Sequence, residues 1–207
     1  MQAGVLRFRH CGSVIYSASR GRCPLCGGAL SFGLQDAPLA LPVPFTDGHS
    51  ATCCLLVAAQ QGAAAFSELS DSELHVGVSN SKGVVFSYTE SGVQRQQCGW
   101  EQSIAVPLVA PGNQSVSFRR RWDVLLEEFT CQDTWTPHRF EEQREFGSCC
   151  YGFALGFINQ LLRSQGRQPI SRERFTAQFL LPRIRTASRY LSICQHISRD
   201  GYYSTAE

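Results

Sequence analysis

Phe146–Leu162 reads FGSCCYGFALGFINQLL. Phe153, Ala154, Phe157, Ile158, Leu161 and Leu162 recur at helical spacing, which predicts a helix with one buried face. Two cysteines, Cys149 and Cys150, head that helix, directly after a candidate N-cap, Ser148. Unpaired N–H groups and the helix dipole stabilise a thiolate there, so Cys150, in the first turn, is a candidate nucleophile. Cys149 reads as a packed thiol and a rival.

Upstream of the helix the pattern is strand-like. TCCLLVAA, ELHVGVSN and GVVFSYT surround the turn NSKG, and WEQSIAVPL alternates Ile104, Val106 and Leu108. Phe118, Trp122, Leu125, Leu126 and Phe129 then keep a helical period, with Arg119, Arg120 and Arg121 expected on its solvated side. Two more helical segments follow the cysteine helix. One starts near Ser171 and buries Phe175 and Phe179; the other starts at Pro182, carries Ile184, Ala187, Leu191 and Cys194 on a stripe, and ends at Gly201. The fold class is therefore α+β: a small antiparallel sheet with about four helices.

The chain has 207 residues, 43% of them hydrophobic, and a formal charge of +2. These values fit a globular protein and give no electrostatic argument for nucleic acid or anionic lipid. No run approaches a membrane span and no secretory signal opens the chain, so the expected compartment is cytoplasmic or nuclear. In a reducing compartment the ten cysteines are thiols, metal ligands or a nucleophile rather than a disulfide framework.

Residues 1–48 read as a zinc-ribbon-like knuckle followed by the Pro-rich linker DAPLALPVPFTDGH, and residues 49–207 as the main domain with the C-terminal helices. CPLCGG supplies Cys23 and Cys26 as a C-x-x-C hook, and HCG supplies Cys11. The fourth ligand is open: His10 stands beside Cys11, and His49 or Cys53 would arrive from the linker. One structural zinc is the cofactor expected. A catalytic zinc would need an open coordination position beside acid–base groups, and no Asp or Glu stands near these cysteines.

A cysteine nucleophile needs a base within hydrogen-bond reach. In ELHVGV the apolar Leu74, Val76 and Val78 face one way, and His75 shares the opposite face with Gly77. HVGV, GVVFSYTESGV and, about seventy residues on, CYGFALGFINQLL resemble the circularly permuted papain-like cysteine hydrolases. The resemblance runs from about Cys53 to Arg163. It is closer to the PPPDE-type deSUMOylating isopeptidases than to the lecithin:retinol acyltransferase-like proteins. Cys150 and Phe153 fit a C-x-x-F pattern, and Ser91, Gly92 and Val93 stand where a GGI-like turn follows the histidine hairpin. That resemblance implies a permuted papain-like core, Cys150 as nucleophile, His75 as base, and Ser87 where a second histidine assists in the acyltransferase-like group. It also implies a thiol hydrolase of isopeptidase or amidase type acting on a ubiquitin-like or other protein substrate. Cys149 stands where those hydrolases usually carry Asn, and Ser87 supplies no charge. A catalytically inactive interaction module is the alternative reading, and a lipid acyltransferase or thioesterase a further one. Over the whole chain, HCG, CPLC, LHVGV, GVQR and FLLPR are similar to the makorin-2 opposite-strand protein family, a likeness that brings no activity with it.

Overall fold

A computed structural model describes residues 4–19, 21–31, 37–59, 74–109, 114–140 and 149–206. The fold is mixed α+β with two antiparallel sheets and several helices. The chain divides into two compact units, residues 45–185 and residues 1–44 together with 186–207. Residues 186–207 thus fall in the unit of residues 1–44, whereas the sequence reading groups them with residues 49–185.

The larger unit is built on five strands: β4 (Cys54–Ala59), β5 (Leu74–Ser79), β6 (Val85–Thr89), β7 (Gly92–Gln96) and β8 (Ile104–Pro107), in the order β7-β6-β5-β4-β8. Val57 pairs with Val76, Leu55 with Val78, and Val78 with Phe86. Because paired residues share a face and successive residues alternate, these side chains and Tyr88 form one apolar face. Two helices cover it, α1 (Val116–Thr130) and α2 (Cys150–Ser164). Phe153 stacks on Tyr88 at 6.2 Å, and Trp122 meets Phe157 edge-on at 5.0 Å while its Nε1–H donates to the Ser79 carbonyl at 3.0 Å. The indole is thus buried without leaving its polar atom unpaired. Ser115 caps α1 by accepting from the Phe118 amide, and Arg119, Arg120 and Arg121 are exposed, as the helical period requires.

At the head of α2 the N-cap is Cys149, extended at φ −113°, and its side chain makes no capping hydrogen bond. Ser148, the expected cap, lies outside the described residues. Farther on, α3 (Arg172–Phe175, capped by Ser171), a π-helical turn over Thr176–Leu180 and α4 (Leu181–Asp200) run on continuously. Pro182 therefore does not begin a separate helix. The widened π turn immediately before it absorbs the loss of an amide donor.

The smaller unit has a four-stranded sheet, β3-β1-β2-β9, from β1 (Leu6–His10), β2 (Ser13–Ser17), β3 (Leu39–Ala40) and β9 (Tyr202–Ala206). β9 pairs antiparallel with β2, Ile15 opposite Ser204, which ties the two chain ends together. One sheet face packs Phe8 and Ile15 on Cys23 and Leu30; the other packs Tyr16 and Val14 on Ile193 and Ile197 of α4. Among the described residues no helix is long and apolar enough to cross a membrane.

Candidate functional site

Alternation along β1 sends Leu6, Phe8 and His10 to one face and Arg7 and Arg9 to the other. His10 therefore points to the side where Cys23 is buried. The β1–β2 hairpin closes through Cys11 and Gly12, both left-handed at φ 54° and 69°, with His10 opposite Ser13. Two consecutive positive φ values are those of the hairpin turn whose twist matches its strands. That left-handed backbone at Cys11 carries its Sγ back to 2.8 Å from His10 Nδ1, so that two adjacent residues face one centre. A second turn supplies the other two ligands. The Gly27 amide donates to the Cys23 carbonyl and the Cys23 amide to the Gly28 carbonyl, at 2.9 and 2.8 Å, with Gly27 at φ 71°. Cys26 Sγ then lies 3.5 Å from His10 Nδ1.

All four ligand atoms, from His10, Cys11, Cys23 and Cys26, lie within 4.8 Å of one another. His10 and Cys23 are buried; Cys11 and Cys26 open to solvent. The thiols share protons unequally. The hydrogen bond to Cys26 pushes the Cys11 thiol up to about 12, and the same bond, with the Gly28 amide behind it, holds Cys26 below the ordinary thiol value. A cation taking the place of that shared proton would relieve the crowding. His49 and Cys53, the other candidates for fourth ligand, are engaged elsewhere in the larger unit. His49 Nδ1 is 2.7 Å from the Gly83 carbonyl, and Cys53 is fully buried. Gly28 lies against the cluster: a Cβ there would stand 3.3 Å from Cys26 Sγ and 3.7 Å from His10 Cε1.

The structure does not bring His75 and Cys150 together. His75 pairs with Ala58 and Gly77 with Ser87, so His75, Gly77 and Ser87 occupy the sheet face opposite to the one α2 covers. Trp100 closes that face. Its ring lies 5.5 Å from the His75 ring and would touch any Cβ on Gly77 at 2.9 Å. Ser87, expected beside the imidazole, is buried and donates to Gln96 Oε1, which also accepts from Trp100 Nε1 at 3.0 Å. Burial holds the His75 pKa below its ordinary 6.5, favouring a neutral ring. Trp100 and Gln96 are the residues the sequence reading missed here. The space that Gly77 leaves is filled by the indole rather than by a substrate.

A two-sheet α+β protein with a His-Cys-Cys-Cys cluster that could hold a metal, and with its sheet between His75 and the cysteine helix, is the class these features define. The chain belongs to the DUF4796 C-terminal family, whose model matches residues 38–197. It is 39% identical over 203 residues to the MKRN2 opposite strand protein of Homo sapiens, covering 97% of this chain and 89% of that protein. No solved structure matches.

Proposed function

We propose that this protein is a non-catalytic binding module whose smaller unit is held by one structural zinc on His10, Cys11, Cys23 and Cys26. The carrying observation is the convergence of those four donor atoms, from two separate turns, within 4.8 Å. Three thiols and an imidazole make a closed tetrahedral donor set for Zn²⁺, with no position left for substrate. In this reading the N-terminal unit is the zinc-ribbon-like element expected from CPLCGG, and its metal supports folding rather than chemistry. The larger unit is then a permuted papain-like scaffold without a working Cys–His pair, which binds another protein rather than cleaving it. Val116, 86% exposed, and Val124, at helical spacing on α1, favour such a role because they leave apolar surface uncovered.

Electrophilic ubiquitin-like and acyl probes test the absence of turnover, with Cys150→Ser as control. Cys150 is expected to label no faster than exposed thiols such as Cys98 and Cys131. Rapid Cys150 labelling that His75→Ala abolishes would restore the hydrolase and overturn this reading.

A further inference from the structure

Within the larger unit, a pocket of about 370 Å³ opens between the C-terminal half of α2, the loop after it and the π-helical turn. Its size falls in the range of small-molecule sites, about 300–1,000 Å³. Ile158, Leu161, Phe175 and Phe179 make its floor apolar, with the two phenylalanine rings 5.1 Å apart. The rim is different in kind. It carries Arg167 and Arg174 with Gln165, Gln168 and Gln178, and among the described residues no carboxylate lines it.

The walls are fixed by specific interactions. Gly166, at φ 69°, ends α2: its amide donates to the Arg163 carbonyl at 2.9 Å and the Arg167 amide to that of Leu162 at 2.9 Å. That six-residue capping pattern sets Arg167 at a defined place beyond the helix. Asn159 then clamps the far end of the loop, accepting from the Ile170 amide at 2.8 Å and donating to its carbonyl at 3.1 Å. The opposite wall is the π turn Thr176–Leu180, which contributes Gln178 and Phe179; such turns recur at functional sites. Among the described residues neither Arg167 nor Arg174 has an ion-pair partner.

We propose that this pocket binds a medium-chain fatty acid, its chain on the Ile158, Leu161, Phe175 and Phe179 floor and its carboxylate at Arg167 and Arg174. An apolar floor alone would accept any hydrophobe. Two guanidiniums at its mouth that have no acidic partner among the described residues, with glutamine amides beside them, select an amphiphile with one anionic end. The site goes beyond the zinc and the binding role proposed above, and it does not depend on either.

Displacement of cis-parinarate from the full-length protein tests it. Decanoate should displace the probe, and decanol, with the same chain and no charge, should do so about tenfold less well. Arg167→Gln with Arg174→Gln should weaken decanoate about tenfold and leave decanol unchanged, while the paired Lys variants keep much of the binding. Both arginines are exposed, so the melting temperature should not move. Failure of decanoate to displace the probe, equal affinity for decanol, or an unaffected double Gln variant would each overturn the proposal. So would displacement by a short peptide with an apolar C-terminal residue but not by decanoate, which would assign the pocket to a protein terminus.

Discussion

Truncating His75 to alanine separates a packing histidine from a catalytic one. In the structure its ring stacks against Trp100 at 5.5 Å with a 35° tilt, on the sheet face away from α2. The lost ring pair is worth about 0.5–1.5 kcal/mol beyond its buried area. The space left under the indole adds a cavity cost of similar size, since Trp100 is held by its Gln96 hydrogen bond and cannot collapse freely. His75→Ala should therefore destabilise the larger unit by roughly 1–3 kcal/mol. The assay is urea unfolding followed by tryptophan fluorescence, because Trp100, Trp122 and Trp135 all lie within residues 45–185 and report that unit alone. The pH dependence has a definite sign. The folded-state pKa of His75 is depressed by burial, so below 6.5 the unfolded chain takes up a proton that the folded protein resists. Wild-type stability should fall as pH drops below 6.5, and His75→Ala should remove part of that slope. Iodoacetamide labelling of Cys150 should be unchanged by the substitution. A variant with wild-type stability and a Cys150 labelling rate cut severalfold would refute the reasoning.

Gly28→Ala should weaken zinc binding by roughly tenfold, because its Cβ would crowd Cys26 Sγ at 3.3 Å; competition with a chromophoric chelator reads the change. Zinc loading should shield Cys11 and Cys26 from alkylation while exposed Cys98 and Cys131 react with or without metal, as peptide mass mapping would show. Cys53 and Cys54, whose thiols burial pushes up to about 12 and about 11, should stay unmodified in the same experiment until the protein unfolds. Phe153→Ala should cost about 3–5 kcal/mol in chemical denaturation, since the ring is fully buried among Tyr88, Phe129 and Trp135.

Period was the most legible signal in the sequence. Leu74, Val76 and Val78 against His75 and Gly77 set the faces of β5 correctly, and Phe153 and Phe157 marked the buried side of α2. The same alternation carries the correction. Helices pack on the apolar face of a sheet, so the face that bears His75 is the one α2 does not cover. Its cover, Trp100, comes from a turn 25 residues later whose path depends on Gly99 at φ 92°, and no local pattern announces that. LRFRH alternates cleanly within the stretch expected to be knuckle, and that alternation is what places His10 on the cysteine side. β9 was unreadable for a different reason. YYSTA lacks an apolar face, and it forms a strand because β2 offers a partner from the other end of the chain. The cysteines of the cluster that could hold a metal were legible from C-x-x-C and Cys-Gly spacing, whereas the approach of His10 to them depends on the left-handed backbone of Cys11.

Zinc content tests the central claim most directly. Protein purified without added metal and desalted should carry one zinc per chain by plasma mass spectrometry. Cys23→Ser with Cys26→Ser should carry none, losing the folding of the smaller unit while keeping the tryptophan-reported transition of the larger one. Wild-type protein with no zinc above background, and with a melting curve unmoved by added zinc or by a strong chelator, would contradict the account.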